Sequence, residues 1–555
     1  MRCEARCDGG DSQAIVEYVT GSYRVGVQLW RSALDDGCGS LPQYRGPNGD
    51  GSSPEAVRTN WLEQPPVEVW RRPIGAGFSS IAVSAGRLYT QARKATNTGD
   101  REVCLALDSA TGNSLWETDV DAADYTDLSG YPNEMDGPRS TPTIDGNRVY
   151  VFTSHLKLIS LDAATGMILW RRDFRAELGS DVIPWENAAS PLIVGELIFV
   201  NSNARGRSLM AVRKSDGVTV WGEQDDTMTH ATPVFATIGG VSQVIFLTRL
   251  GLVSVIPASG DVLWRLRFAP STTSTAASPA VSGDYVYGSA AYGYGTSMAH
   301  VTRSGNSFNA AEAWYQRGVS YQAHWSTPVE QGGFLYCVPS PSSGQGRLAC
   351  LDVAGGSNRW TQTKVGSDSM GYGSLIKAAN ALIVLTEGGE LVLVKPNPDV
   401  YEELARFKAL NAYCWNNATL ANGRLYARST SNSPELVALD VGTSANAPFP
   451  TQLSLIAVPS DDSQDSLVVS VRVPDGELTA AHLAELELIA STDIDLAPSV
   501  WSVLSQAFAL ENGAGIVQIP FGNETALFLS VRQKGSNALV SHRRPSATKQ
   551  EVTHA

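Results

Sequence analysis

Asp108-Ser-Ala-Thr-Gly112-Asn-Ser-Leu-Trp116 returns 54 residues later as Asp162-Ala-Ala-Thr-Gly166-Met-Ile-Leu-Trp170. Gly217 to Trp221, Gly260 to Trp264 and Gly356 to Trp360 keep the same Gly-x-x-x-Trp spacing. Trp70 and Trp314 join the series. Trp70, Trp116, Trp170, Trp221, Trp264, Trp314 and Trp360 then stand 46, 54, 51, 43, 50 and 46 residues apart, and Phe407 follows 47 later. A recurring period of this length marks a repeat architecture.

Each unit holds three or four short apolar runs and no long helical stretch. In the second unit, Thr141-Pro-Thr-Ile leads through Asp145-Gly146 to Arg148-Val-Tyr-Val-Phe152, then to Lys157-Leu-Ile-Ser-Leu161 and Met167-Ile-Leu-Trp170. Gly and Asp punctuate the runs as hairpin turns. Four antiparallel strands at this period describe the blade of a β-propeller. The expected place of each Trp is the outermost strand, wedged against the neighbouring blade.

A second marker counts the blades. The innermost strands start at Ser79-Ser-Ile, Ser140-Thr-Pro142, Ala189-Ser-Pro191, Ala231-Thr-Pro233, Ala277-Ser-Pro279, Ser326-Thr-Pro328, Gly373-Ser-Leu375 and Asn416-Asn-Ala418. Eight starts predict eight blades. The last unit lacks a Trp strand, whereas Val67-Glu-Val-Trp70 is a spare one. Pairing Trp70's strand with the last unit leaves no open sheet edge.

The Leu-Asp-x-x-Thr-Gly-x-x-x-Trp unit resembles the pyrroloquinoline-quinone (PQQ) repeat. That repeat builds eight-bladed propellers in quinoprotein dehydrogenases and in the propeller lipoprotein of the bacterial outer-membrane assembly complex. The leader Tyr44-Arg-Gly-Pro-Asn-Gly-Asp-Gly51 resembles the opening of PQQ-like propeller proteins of planctomycetes and verrucomicrobia. The resemblance covers residues 42–445 and implies an exported, periplasmic or envelope protein. It is specific for fold and not for activity.

The expected organisation is a poorly ordered leader over 1–41, the propeller over 42–445, a small β-sandwich over 446–540 and a disordered tail over 541–555. The sandwich is read from runs such as Ser466-Leu-Val-Val-Ser-Val-Arg-Val473 and Gly515-Ile-Val-Gln-Ile519. The 42 basic and 56 acidic residues give a net charge of −14, which argues against a nucleic-acid partner. No run of apolar residues is long enough for a membrane-spanning helix. Glu4, Asp8, Asp11, Glu17 and Arg24 interrupt every apolar run of the first 40 residues, so no secretory signal is visible there. A replaced start, a lost signal and an internal location all fit. Of seven cysteines, Cys3, Cys7 and Cys38 read as incidental thiols of the leader. Cys337 and Cys350 flank one hairpin, open to a cross-strand disulfide but read by default as two buried thiols.

Propellers bind at the mouth of the central channel, where the innermost strands start. Position by position, the start residues are Phe78, Arg139, Ala188, His230, Ala276, Trp325, Tyr372 and Trp415. Phe78, Trp325, Tyr372 and Trp415 should form one aromatic wall, with Arg139 and His230 opposite and Asp136, Glu186, Asn187 and His324 close behind. Such a funnel fits a planar or sugar-like ligand or a peptide. The bland alternative is that the aromatics merely plug the channel.

An enzyme needs more. The resemblance to quinoprotein dehydrogenases implies PQQ held between a Trp and a disulfide of adjacent cysteines, with Ca²⁺ on a Glu, an Asn and an Asp, and an Asp base. No two cysteines are adjacent here. Glu186 and Asn187 offer an oxygen pair, but neighbours on an extended chain point apart, and no matching Asp is found. No catalytic residue, metal site or cofactor is therefore expected, and PQQ with Ca²⁺ belongs to the alternative reading. The expected protein is a monomeric binding or scaffold propeller for a protein, small-molecule or glycan ligand; the alternative is a PQQ-dependent dehydrogenase of an alcohol or sugar.

Overall fold

A computed structural model describes residues 41–125, 136–268, 275–340, 345–431 and 433–443, the strands Gln13–Thr20 and Tyr23–Trp30, and parts of 454–533. The chain divides into two units, Cys38–Pro448 and a second that combines the start of the chain with the stretch from Phe449 onward.

In the first unit, eight four-stranded antiparallel sheets lie between Val67 and Asp440 among the described residues. Seven run in chain order. The remaining sheet places Val67–Pro73 beside Glu435–Asp440, with Trp70 opposite Ala438. The first strand of the unit thus completes its last sheet, the closure expected from the missing Trp strand.

Apolar side chains fill the spaces between neighbouring sheets. Tyr89 and Trp116 of one sheet pack with Val149, Val151 and Ile159 of the next. The last space unites Trp70, Tyr426 and Leu436 with Ile81, Leu88 and Leu107, so the last sheet shares a core with the first. The fold is a β-propeller.

The repeating Gly and Trp form the contact between sheets. The outer strand pair carries a bulge at each Trp; Ser160 faces Trp170 and Leu161 faces Ile168, which leaves Leu169 as the extra residue. The bulge turns the indole toward the next sheet. There its N–H donates to a turn carbonyl: Trp70 to Ser109 at 3.0 Å, Trp116 to Ala163 at 3.0 Å, Trp170 to Lys214 at 3.1 Å, Trp221 to Pro257 at 2.9 Å, Trp314 to Val353 at 2.7 Å and Trp360 to Asn397 at 2.9 Å. The rings of Trp70, Trp116, Trp170, Trp221 and Trp314 lie on the turn glycine, and Trp360 reaches a turn without one. Gly166 has φ +74°, and a Cβ there would sit 2.6 Å from Trp116 Cε3. Trp264 departs from the rule and donates to Gln243 Oε1 of its own sheet at 2.7 Å. The following sheet has no Gly-x-x-x-Trp turn: its strands Gly295–Ser304 and Ser307–Gln316 close in a tight hairpin.

The Ser/Thr-Pro marker has its own physical role. The hydroxyls of Thr141, Ser190, Thr232 and Thr327 each accept the backbone N–H of the equivalent residue in the preceding sheet, whereas Ser278 Oγ has no partner. Ser80 N–H donates to Thr141 Oγ1 at 3.0 Å, Thr141 to Ser190 at 2.9 Å, Ser190 to Thr232 at 2.9 Å and Ser278 to Thr327 at 2.8 Å. Asn417 N–H donates to Ser80 Oγ at 3.1 Å, from the last sheet to the first. The proline that follows needs no donor partner and holds its predecessor extended.

The second unit has a four-stranded sheet, Ser454–Pro459, Ser466–Arg472, Ala514–Pro520 and Ala509–Glu511 in that order, and a five-stranded one. The five-stranded sheet contains Gln13–Thr20 and Tyr23–Trp30 as a hairpin, the second strand parallel to Ala526–Gln533. Part of the stretch read as a poorly ordered leader therefore lies in a sheet. Its β-branched and aromatic residues alternate with polar ones, a strand pattern that a search for an unbroken apolar signal passes over. Cys3, Cys7, Cys38 and the tail over 541–555 lie outside the described residues.

Cys337 and Cys350 are free and buried. Cys337 faces Ala349 and Cys350 faces Tyr336, so the two thiols point to opposite faces of their sheet. Their geometry rules out the cross-strand bond.

Gly166→Ala should cost about 2–5 kcal/mol, the sum of a left-handed alanine and an overpacked contact. Gly146→Ala is the control: φ is +56°, nothing lies within 4 Å of its Cβ, and about 1–2 kcal/mol should be lost. Denaturant midpoints of the two variants decide; equal losses would mean that the Trp116 contact carries no stability.

Candidate functional site

The eight start positions line one cavity. Phe78, Arg139, Ala188, His230, Ala276, Trp325, Tyr372 and Trp415 all face a space of about 590 Å³ above the ring of Ser and Thr hydroxyls. Equivalent positions of successive sheets must form a ring, and the two alanines leave the space into which the aromatics project.

The four expected aromatics form a continuous wall. Phe78 stacks on Trp415 at 5.9 Å and 11°. Trp325 meets Trp415 at 5.5 Å and Tyr372 at 4.6 Å. Indole hydrogen bonds fix the wall from behind: Trp325 Nε1 donates to Tyr372 O at 3.2 Å and Trp415 Nε1 to Glu387 Oε1 at 2.6 Å. Phe78, Trp325 and Trp415 stay partly exposed, whereas Tyr372 is buried.

Arg139 and His230 occupy the other arc. Arg139 Nη2 donates to Asp136 Oδ1 at 2.8 Å, and Nη1 stands 3.5 Å from Glu186 Oε2. Its guanidinium also lies 5.2 Å over Phe78. His230 Nε2 is 3.2 Å from Pro184 O. His324, expected close to Arg139 and His230, instead lines the cavity beside the aromatic wall, with its ring 5.1 Å from Tyr372 and 5.3 Å from Tyr292. Burial pushes its imidazole down to about 4, so it is neutral near pH 7.

Glu186 and Asn187 do not fit a quinone-bound Ca²⁺. Neither lines the cavity. Asn187 Oδ1 accepts Ala189 N–H at 3.0 Å, and its amide nitrogen donates to the carbonyls of Phe152, Thr153 and Ala189. Glu186 is buried beside Arg139. No cluster of three or more His, Cys, Asp or Glu suited to a metal occurs among the described residues.

Sequence reasoning missed Tyr44, Trp185, Tyr292, Gln322, Asn416 and Asn417 in the lining. Asn416-Asn417 carried a visible signal, since it replaces the Ser/Thr-Pro marker in the last start. Tyr44 comes from the leader, which runs across the ring. Leu41 bridges to Val83, Pro42 O accepts Ile144 N–H at 2.6 Å, and Arg45 donates to Thr327 O and Pro328 O at 2.9 and 2.7 Å. Ser53 N–H then reaches Lys377 O, and Glu55 accepts from Asn422 and Gly423 N–H in the last sheet.

A second polar cluster lies beyond Arg139. Tyr125, under Arg139 at 5.9 Å, donates to Glu102 Oε1 at 2.8 Å. Burial pushes Glu102 up to about 7. Burial pushes Asp121 upward too, but hydrogen bonds from His155, Lys157 and Thr153 outweigh it and hold the carboxyl at about 2. Lys157 Nζ and Thr153 Oγ1 are each 2.6 Å away.

Comparison with known proteins agrees with the repeat. A family model described as outer membrane protein assembly factor BamB matches residues 99–362. The chain carries PQQ-like propeller repeats. It is 24% identical over 223 residues to the Yersinia pestis protein named outer membrane protein assembly factor BamB, covering 38% of this chain and 50% of that one. A protein of the same name from Moranella endobia is 23% identical over 340 residues, 53% of this chain and 79% of that one. Among solved structures, a quinohemoprotein alcohol dehydrogenase of Pseudomonas putida is similar with a TM-score of 0.52 at 12% identity, over 73% of this chain and 80% of that one. That likeness concerns the fold alone.

Asp121 supplies a pH test. Its lowered pKa means stability that is present above the unfolded value of 3.8 and lost as pH falls through about 2. Asp121→Asn should therefore cost about 2 kcal/mol near neutrality. The gap to the unsubstituted protein should close as pH approaches 2 in acid-unfolding curves; a gap independent of pH would contradict the assignment.

Proposed function

We propose that this protein is a non-catalytic binding or scaffold propeller of the bacterial cell envelope that holds its ligand or partner at the channel mouth. One observation carries the reading: eight equivalent positions converge on one cavity whose lining, among the described residues, contains no carboxylate and no metal-ligating cluster. A general base or a cation-held quinone needs such groups. The relatives' name, outer membrane protein assembly factor, supports an envelope role on the periplasmic side. The reading includes no bound cofactor and a monomeric chain.

The dehydrogenase alternative shares the fold and lacks the chemistry. Adjacent cysteines are absent, and Asn187 spends its oxygen on Ala189. Protein incubated with PQQ and Ca²⁺, then desalted, should retain no quinone absorbance and should reduce no dye with alcohols or sugars. Turnover dependent on added PQQ would overturn the proposal.

A further inference from the structure

We propose that the cavity receives the end of an uncharged saccharide. The proposal rests on the binding reading above and names the ligand class of the same site.

Charge decides first. Among the described residues Arg139 is the one Arg or Lys in the lining, which contains no Asp or Glu. Its charge is already met by Asp136 and Glu186. A carboxylate, phosphate or ammonium entering here would lose water without gaining a counter-charge. A neutral ligand avoids that cost.

Hydrogen-bonding capacity decides next. Asn416 is 3% exposed, and neither Oδ1 nor Nδ2 of its amide has a partner. Asn417 Oδ1, Ser326 Oγ and Trp185 Nε1 also lack partners, and all of these residues line the cavity. The set mixes donors and acceptors around the cavity. An anion only accepts and an ammonium only donates, so either leaves part of the set unmet. A sugar hydroxyl donates and accepts, and neighbouring hydroxyls do both side by side. Unmet buried polar atoms cost free energy that such a ligand recovers.

The aromatic wall fits the rest of a sugar. A pyranose has a face of C–H groups, and an indole or phenyl face is the electron-rich partner for them. Trp325, Trp415 and Phe78 offer partly exposed rings beside the unpartnered amide. The volume of about 590 Å³ is within the range of small-molecule sites, ~300–1,000 Å³. Tyr44 marks where the site ends. Its hydroxyl accepts from Asn417 Nδ2 at 3.2 Å, and Arg45 beside it is buried and bonded to the sixth sheet. A polymer threading the channel would have to displace this segment, so a chain end is the form that fits.

The test uses the full chain and calorimetric titration with maltotriose, cellotriose and N,N′,N″-triacetylchitotriose, alongside trigalacturonate, trialanine and PQQ. At least one neutral trisaccharide should bind, with trigalacturonate at least tenfold weaker. Asn416→Ala and Trp415→Ala should each weaken that binding about tenfold or more, with unchanged circular dichroism. Should Asn416→Ala fail to fold, Ser326→Ala reports on the same cavity and should weaken binding, whereas Leu62→Ala, at an exposed residue outside the lining, should not. Binding of none of the three neutral trisaccharides, or equal binding of trigalacturonate, would overturn the inference. Trialanine binding that depends on Asn416 would replace the ligand class and leave the binding reading intact. Turnover with PQQ would remove both.

Discussion

The contact on which this fold depends is an indole laid on a glycine. A sheet of four strands has two apolar faces and cannot bury either alone. Trp70, Trp116, Trp170, Trp221 and Trp314 each span the gap to the next sheet, pack on a turn glycine, and give their N–H to a carbonyl of that turn. Emptying a buried aromatic site costs roughly 3–5 kcal/mol. The cost recurs around the ring. Gly166 answers two demands with one residue: a backbone at positive φ and a surface open to a ring. The bulge before each Trp is the third part of the device, because without it the indole would stay in register on its own sheet.

A ring built this way fixes its own centre. Once each sheet is docked on the next, the inner strands converge, and hydroxyl-to-amide bonds tie Ser80, Thr141, Ser190 and Thr232 in succession. Closure is enforced twice, by the Trp70 strand at the rim and by Asn417 to Ser80 at the centre. Arg428 adds a third link. It is fully buried and donates to Ser79 O, Gln91 O and Gly75 O of the first sheet and its approach. A residue at each strand start therefore has one place to go, the channel mouth.

That constraint is why the mouth was legible in the sequence. Aligning the starts put Phe78, Arg139, His230, Trp325, Tyr372 and Trp415 in one ring, and they share one cavity. Properties set by a repeated backbone survive in a repeated sequence. Properties set by one-off contacts do not. Tyr44 reaches the cavity through a leader that crosses the ring on bonds with no repeat signature. Trp264 has the motif but not the contact, because its partner turn is missing in the next sheet. Cys337 and Cys350, read by default as two buried thiols, are free and buried, and a one-residue offset in register on their hairpin puts them on opposite faces. The hairpin over Gln13–Thr20 and Tyr23–Trp30 pairs with a strand from the far end of the chain, a distance that no local pattern records.

The arrangement of charge completes the argument from fold to site. Acidic and basic side chains near the mouth are numerous, and among the described residues all but Arg139, His230 and His324 stand behind its surface. Asp136 and Glu186 hold Arg139, while Glu102, Asp121, His155 and Lys157 bond among themselves and their neighbours beyond Tyr125. Arg139 thus acts as a strut that ties the approach to the second sheet to the loop of the third. Its cation is spent on that task. What remains facing the cavity is aromatic rings, amides, hydroxyls and a neutral imidazole. Such a surface discriminates by shape and by paired hydrogen bonds, not by long-range attraction. On the proposed reading, ring faces and paired hydrogen bonds at this surface hold the ligand by contact.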